Sequence, residues 1–212
     1  MSDTIKLVCL DLDETLISDN SWLLLGLALG MTKERDQELY DQYAQGEITY
    51  DEWNGLVLRE YLKHEDATRE GINRIVSLYT LAPGAREAIG YLRERDYELV
   101  LISGSLDLFV SRVAHDLGIT YYKANNTLVF DDSGRLTNIH TPGDDTEHKL
   151  IHLEAFCDLL DIGLTECACI ADGANDIDMF RRTGKGITFR GSKIEKDAWK
   201  VIDSFYDIPT IL

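Results

Sequence analysis

Short apolar segments alternate with amphipathic ones along much of the chain. Runs rich in Val, Ile, Leu and Cys have the length of strands that are buried on both faces, and they lie at 5–10, 97–102 and 167–171. Apolar residues three and four apart predict helices over 106–117 and 149–160. A further run at 186–189 predicts a last strand. This alternation of strands and helices favours an α/β core with a parallel sheet.

Residues 18–80 have a different pattern, because helical segments follow one another there without a strand. These segments are predicted at 22–29, 33–45, 50–63 and 66–79. Proline fixes φ and is tolerated where a helix begins, so Ala82-Pro83-Gly84 marks the return to the core. We interpret 18–80 as a small helical cap domain, inserted into a core formed by residues 1–17 and 81–212.

A second and shorter excursion interrupts the core. Residues 127–130 and 135–139 have the composition of strands, and they flank the turn sequence Asp131-Asp132-Ser133-Gly134. This pattern predicts a short β-hairpin.

A polar cluster follows each of the three main predicted strands. Asp11 and Asp13 come after the first, Ser103-Gly104-Ser105 after the second, and Asp172-Gly173-Ala174-Asn175-Asp176 after the third. The carboxyl ends of parallel strands share one edge of the sheet, and such folds bind their ligands at that edge. The spacing therefore predicts a single active site built from all three clusters.

The net charge limits which partners the protein can bind. Lys and Arg number 21 against 38 Asp and Glu, which gives a net charge of −17, so a nucleic-acid backbone would be repelled. An anionic substrate would need a metal ion or a lysine inside the site.

The neighbouring carboxylates of Asp11 and Asp13, with Asp172 close by, would repel one another without a cation. Mg²⁺ is the natural choice, since it binds one or two carboxylates together with substrate oxygens.

The sequence also predicts where the protein works. The longest apolar stretch, 22–31, is too short to span a bilayer, and the first ten residues do not have the pattern of a signal peptide. The four cysteines include no Cys-x-x-Cys pair, which favours buried free thiols in a reducing compartment. We therefore expect a cytoplasmic protein with no membrane partner, and the sequence leaves the oligomeric state open.

Four of these segments resemble, in order and spacing, the motifs of the haloacid-dehalogenase superfamily. They are Asp11-Leu12-Asp13-Glu14-Thr15, Ser103-Gly104-Ser105, Lys149 and Asp172-Gly173-Ala174-Asn175-Asp176. A narrower similarity to the phosphoserine phosphatase-like branch includes Pro83-Gly84 and Ala124-Asn125. The resemblance implies a Rossmann-like core with a cap inserted after the first motif. It also implies a phosphatase acting on a small phosphomonoester, with L-phosphoserine as the leading substrate.

The resemblance implies specific roles for the two aspartates of the first motif. Asp11 would be the nucleophile that forms an aspartyl-phosphate, and Asp13 would be the general acid and base. Mg²⁺ would be held by the carboxylates of Asp11 and Asp172 and by the backbone carbonyl of Asp13. Asp176 would not bind the metal ion directly but would support the groups that do.

The same resemblance implies how the phosphoryl group is bound. Ser103, the Gly104 amide, Lys149 and Asn175 would contact its oxygens, and Lys149 would offset the negative charge of the transition state. Specificity would lie in the cap. The family's amine-binding glutamate is replaced here by Asn20, next to Asp19. Arg59, with Lys63 as the alternative, is the candidate for binding a substrate carboxylate.

Three alternatives to a phosphoserine phosphatase remain open. The chain could hydrolyse another compact phosphate, such as a sugar phosphate or an amino-alcohol phosphate. A phosphomutase or other phosphotransferase could use the same two aspartates and return the phosphoryl group to a bound intermediate. A noncatalytic phosphate-binding module would keep its function when Asp11 is replaced by Asn.

Overall fold

The structure, a computed structural model, describes residues 4–143 and 145–212. Within these residues seven strands form one sheet in the order β4-β3-β2-β1-β5-β6-β7. The strands are β1 Leu7–Leu10, β2 Glu98–Leu106, β3 Tyr121–Phe130, β4 Leu136–His140, β5 Cys167–Ile170, β6 Gly186–Phe189 and β7 Lys200–Ile202. All neighbouring strands are parallel except β3 and β4. The mostly parallel α/β fold predicted from the sequence is confirmed.

Eight α-helices accompany the sheet in the described residues. They are α1 Ser21–Ala28, α2 Lys33–Ala44, α3 Tyr50–Tyr61, α4 Arg69–Val76, α5 Ala85–Arg93, α6 Asp107–Leu117, α7 Asp145–Leu160 and α8 Ile177–Thr183. None of the helices in 4–143 and 145–212 combines the length and the hydropathy that a membrane crossing requires.

Side chains on the two faces of the sheet enter two separate clusters. Along β1, Val8 and Leu10 pack into a cluster that includes residues of α5, α6 and the helices of residues 18–80. Leu7 and Cys9 point to the opposite face, where they pack with residues of α7 and α8. All four residues of β1 are buried, as expected for a central parallel strand. The cysteines are free and buried, as the sequence predicts.

The hairpin predicted from the sequence differs from the observed one. β3 begins at Tyr121, well before the predicted 127, and its first half pairs in parallel with β2. Its second half, from Thr127, pairs antiparallel with β4. One long strand thus belongs both to the main sheet and to the hairpin, so the hairpin extends the sheet at its edge and is not a separate excursion.

The second polar cluster lies inside a strand rather than after it. β2 was predicted to end at 102, but it continues to Leu106 and includes Ser103, Gly104 and Ser105. Its pairing with β3 changes register between Ser103 and Leu106. An irregularity of this kind re-aims side chains at the end of a strand, which is where this cluster has to face the site.

The cap helices begin at side chains that cap their first turns. The side chains of Asn20, Thr32, Thr49 and Thr68 accept hydrogen bonds from backbone amides at the starts of α1 to α4. The chain enters and leaves this region side by side, because Ile17 and Leu81 form an antiparallel bridge and Ser18 N donates to Thr80 O at 2.9 Å. The boundaries 18 and 80 of the cap domain stay a prediction.

Candidate active site

A buried lysine joins two of the predicted motifs at the carboxyl edge of the sheet. Asp11 directly follows β1 and is 5% exposed, and Lys149 on α7 is 1% exposed. Lys149 Nζ donates to Asp11 Oδ1 at 2.9 Å and to Asp176 Oδ1 at 2.7 Å. Burial alone would lower the pKa of Lys149, but the two carboxylates outweigh burial and hold the pKa above its usual value. Lys149 is therefore a fixed positive charge beside Asp11.

Asp13 has a different environment from Asp11. Its Oδ1 accepts from Ser21 N at 3.0 Å, and its Oδ2 accepts from Ser21 Oγ at 2.8 Å. Ser21 is the first residue of α1, and its hydroxyl also contacts that of Ser105 on β2. Burial first, and then the charge of Asp11, raise the pKa of Asp13 to about 7. A carboxyl group with this pKa can both give and take a proton near neutral pH.

The turn after β5 brings two more carboxylates to the same edge. Asp172 Oδ1 accepts from Thr15 Oγ1 at 3.1 Å, and the Asp172 carbonyl accepts from Ser192 Oγ at 2.9 Å. Burial and the charges of Asp11 and Glu14 raise the pKa of Asp172 to about 6. Asp176 is completely buried and accepts from Gly173 N at 3.3 Å as well as from Lys149.

The donor set of this edge fits a hard divalent cation. The charge of Asp11 raises the pKa of Asp13 and of Asp172, and the charge of Asp172 acts in the same direction on the pKa of Asp176, so negative charge is concentrated there. The described residues contain no group of three or more His, Cys, Asp or Glu side chains placed to hold a metal ion by themselves. Mg²⁺ does not require such a group, since one or two carboxylates, waters and substrate oxygens suffice. Asp11, Asp172 and the Asp13 carbonyl match that requirement.

Gly104 lies where three elements meet. Its carbonyl accepts from Asn126 Nδ2 at 2.6 Å and from Trp22 Nε1 at 3.3 Å. A Cβ at this position would overlap the Asp145 carboxylate and would lie 3.3 Å from Asn175 Nδ2. Only glycine leaves room for the Asp145 and Asn175 side chains at this position. Asn175 therefore lies beside the part of β2 that includes Ser103, and Ser103 is 1% exposed.

The three cap candidates have local partners or lie at the surface. Asn20 Oδ1 accepts from Leu23 N at 3.1 Å and so caps α1. Asp19 Oδ2 accepts from Thr80 N at 2.6 Å, where the chain leaves the cap. Arg59 is exposed on α3, nine residues after Tyr50. Substrate roles for these three residues stay predictions.

Other residues at this edge were missed by the sequence reasoning. Ser21 holds the carboxylate of Asp13, and Thr15 holds that of Asp172. Asp145 lies against Gly104 and was not singled out, because the predicted helix began at 149, whereas the observed α7 begins at Asp145 and places it on one face with Lys149. The partners Ser21 and Asn126 depend on how the cap packs on the core, which no local pattern signals.

Comparison with known proteins identifies the family. A family model described as a haloacid dehalogenase-like hydrolase matches residues 5–184. The chain belongs to this family. The predictions of a haloacid-dehalogenase superfamily member and of a hydrolase are thereby confirmed.

Curated relatives within the haloacid dehalogenase-like hydrolases cover nearly the whole chain. A phosphoserine phosphatase from Methanocaldococcus jannaschii is 27% identical over 214 residues, covering 98% of this chain and 96% of the relative. A phosphoserine phosphatase from Streptococcus thermophilus is 28% identical over 219 residues, covering 96% of this chain and 97% of the relative.

A solved structure is similar over the same extent. The structure described as a phospho-aspartyl intermediate analogue of phosphoserine phosphatase has a TM-score of 0.80 and 25% sequence identity, and the match covers 98% of both chains. The predicted resemblance to the phosphoserine phosphatase-like branch is confirmed.

Proposed function

We propose that this hydrolase is a Mg²⁺-dependent phosphatase that cleaves a small phosphomonoester through an aspartyl-phosphate. One observation carries the proposal: two neighbouring aspartates have opposite environments. Asp11 is paired with a buried ammonium, whereas Asp13 is hydrogen-bonded to Ser21 and its pKa is raised to about 7. Pairs of carboxyl groups whose environments differ in this way divide the roles of nucleophile and acid–base catalyst.

In the first step Asp11 attacks the phosphorus atom. Lys149 engages Oδ1, which leaves Oδ2 as the attacking oxygen. The new bond between Oδ2 and phosphorus forms as the ester P–O bond breaks, and protonated Asp13 gives its proton to the leaving alkoxide. A bound Mg²⁺ would neutralise charge on the phosphoryl oxygens and on the carboxylate ligands.

In the second step water hydrolyses the aspartyl-phosphate. Asp13, now ionised, takes a proton from the water while the water oxygen attacks phosphorus. The P–O bond to Asp11 breaks, and inorganic phosphate is released. We assign the phosphoryl oxygens to the Ser103 hydroxyl, the Gly104 amide, Asn175 and Lys149. Donors held in place before the reaction stabilise the transition state most effectively.

The substrate proposed first is L-phosphoserine. The proposal is supported by relatives named phosphoserine phosphatase that match this chain from end to end. Other compact phosphates remain alternatives, and so does transfer of the phosphoryl group to a second alcohol instead of water. A nucleic-acid partner stays unexpected, given the net charge of −17.

Release of inorganic phosphate tests the proposal. We expect release from L-phosphoserine with Mg²⁺, none with a chelator, and none from Asp11→Asn. Asp132→Asn, which changes an exposed aspartate, is the matched control and should behave like the wild type. Acid quenching with labelled substrate should leave label on the wild type but not on Asp11→Asn. Absence of release from a panel of phosphomonoesters would contradict hydrolysis, and label appearing in a second alcohol would indicate a phosphotransferase.

A further inference from the structure

A carboxylate beside the proposed phosphoryl site has no role in the reaction described above. Asp145 is the first residue of α7 and lies four residues, or about 6 Å along the helix axis, before Lys149. Both residues lie on one face of α7. Lys149 contacts Asp11, whereas Asp145 contacts the Tyr50 hydroxyl of α3 at 3.4 Å. The direction from Lys149 to Asp145 therefore runs from Asp11 towards α3 of the cap.

The contacts of Asp145 are polar but uncharged. Asn125 Nδ2 donates to Asp145 Oδ1 at 2.8 Å, and the Tyr50 hydroxyl donates to Oδ2. Within residues 4–143 and 145–212, no Lys, Arg or His forms an ion pair with Asp145. Burial is the main cause that raises its pKa, while the hydrogen bond from Asn125 and the charge of Lys149 act in the opposite direction. A half-buried carboxylate beside a phosphate site opposes an anionic ligand unless that ligand also brings a positive charge.

Aromatic rings cover the same side of the site. Tyr50 stacks on Trp53 with ring centroids 5.7 Å apart, and Trp53 lies 5.0 Å from Trp22. Trp22 in turn reaches the Gly104 carbonyl. Aromatic faces attract organic cations, and they exclude water that would weaken the charge of Asp145.

Three basic side chains of the cap form ion pairs with carboxylates of the cap itself. Arg35 and Lys63 form ion pairs with Glu60, and Arg74 pairs with Asp66 and Glu70. The surface beside Gly104 is formed by the Asp145 carboxylate and by aromatic rings, which suits an ammonium group.

We propose that Asp145 binds an ammonium group on the leaving group, so that the substrates are aminoalkyl phosphates with or without a carboxylate. This inference rests on the proposed function. It adds Asp145 as the specificity-determining residue, and it predicts that phosphoethanolamine is hydrolysed as efficiently as L-phosphoserine.

A pair of substrates that differ only in the cation isolates this contact. Phosphoethanolamine ends in an ammonium group, and 2-hydroxyethyl phosphate has a hydroxyl group in the same place. We expect kcat/KM for the wild type to be on the order of ten- to a hundredfold higher for phosphoethanolamine, the range of a hydrogen bond to a charged group. Asp145→Asn, which keeps the shape and removes the charge, should bring the ratio close to one, while Asp145→Glu should retain a preference for the ammonium.

Asp158→Asn is the matched control, because Asp158 is exposed on the same helix and its replacement should leave the ratio unchanged. If Asp145 only positions Asn125 and Tyr50, Asp145→Asn should lower kcat/KM for both substrates by the same factor, and that result would overturn the inference. Equal kcat/KM for the two substrates in the wild type would overturn it without any variant. A preference for L-phosphoserine over phosphoethanolamine above tenfold would contradict the indifference to a carboxylate. If none of phosphoethanolamine, 2-hydroxyethyl phosphate and acetyl phosphate released inorganic phosphate, the proposed phosphatase function itself would have failed.

Discussion

The carboxyl edge of the sheet and the cap face that covers it are constructed in opposite ways. At the edge, buried charges pair with one another: Lys149 is 1% exposed and bridges Asp11, which follows β1, and Asp176, which lies in the turn after β5. On the cap, charges lie at the surface and the face towards the site is aromatic. A buried charge network tolerates few changes because each member needs its partners. The charge network at the edge therefore constrains its residues more strongly than the packing of the cap constrains the residues of the cap.

Removal of the central cation should have the largest effect. Lys149→Met leaves Asp11 and Asp176 buried without a counter-charge, so we expect the free energy of unfolding to fall by roughly 3–5 kcal/mol and phosphatase activity to be lost. Denaturant unfolding and phosphate release measure the two effects. Lys193→Met, at an exposed position, is the control and should change unfolding by less than about 0.5 kcal/mol. A Lys149→Met protein as stable as the wild type would mean that the edge is not a charge network.

Asp172 should make stability depend on pH and on Mg²⁺. Its pKa is raised from 3.8 to about 6, so between these values the unfolded state loses a proton that the folded state keeps. The free energy of unfolding of the wild type, relative to Asp172→Asn, should therefore fall by about 3 kcal/mol as pH rises from about 4 to about 6, and it should stay level above about pH 6. Mg²⁺ should raise the unfolding midpoint of the wild type at pH 8 but not that of Asp172→Asn. Parallel pH profiles of the two proteins would refute this prediction.

Ser21 connects the edge to the cap, and its removal should shift a pH profile. The Ser21 hydrogen bonds lower the pKa of Asp13, so Ser21→Ala should raise that pKa above about 7. Asp13 then remains a proton donor to higher pH, and the alkaline limb of kcat/KM should move up by as much as about one pH unit. Ser18→Ala, an exposed serine three residues earlier, should leave the limb in place. An unmoved limb in Ser21→Ala would show that Asp13 does not set it.

The smallest effect is expected at Asn20, and it separates a structural role from a substrate role. Asn20 caps α1, so Asn20→Ala should lower the free energy of unfolding by about 1 kcal/mol. Asn20→Ser keeps an oxygen acceptor for the cap and should restore stability. If KM for L-phosphoserine follows stability through both variants, Asn20 acts through the helix. A KM that stays high in Asn20→Ser would show that the amide contacts substrate.

The sequence predicts the strands with the clearest apolar runs, and β6 lies where it was predicted, at 186–189. The sequence also predicts which motifs lie close together, because the carboxyl ends of parallel strands share one edge of the sheet. The helix α5 was missed although Ala85, Ala88, Ile89 and Leu92 have helical spacing and are buried. The strand β7 has three residues, too few to show a period.

The remaining differences have a physical reason in tertiary contacts. β3 extends back to Tyr121 because β2 offers a parallel partner there, which local composition does not reveal. The neighbours of Gly104 come from α1, β3 and α7, so they could be known only after the cap and the core are packed together. The motifs at the carboxyl edge of the sheet could therefore be predicted from the sequence, whereas the cap residues that pack against them could not.

The central position of β1 has a consequence for how the chain folds. Leu7 pairs on one side with Glu98 and on the other with Cys167, so the strand that precedes Asp11 has no partner nearby in the sequence. Contacts that close such long loops form slowly, whereas helices α1 to α4 are made from neighbouring residues. During synthesis β1 is made well before its second neighbour β5, because the strands β2 to β4 and the helices α1 to α7 lie between them in the sequence. Asp11 therefore stays without Asp172 and Asp176 until β5 and the turn after it have been made.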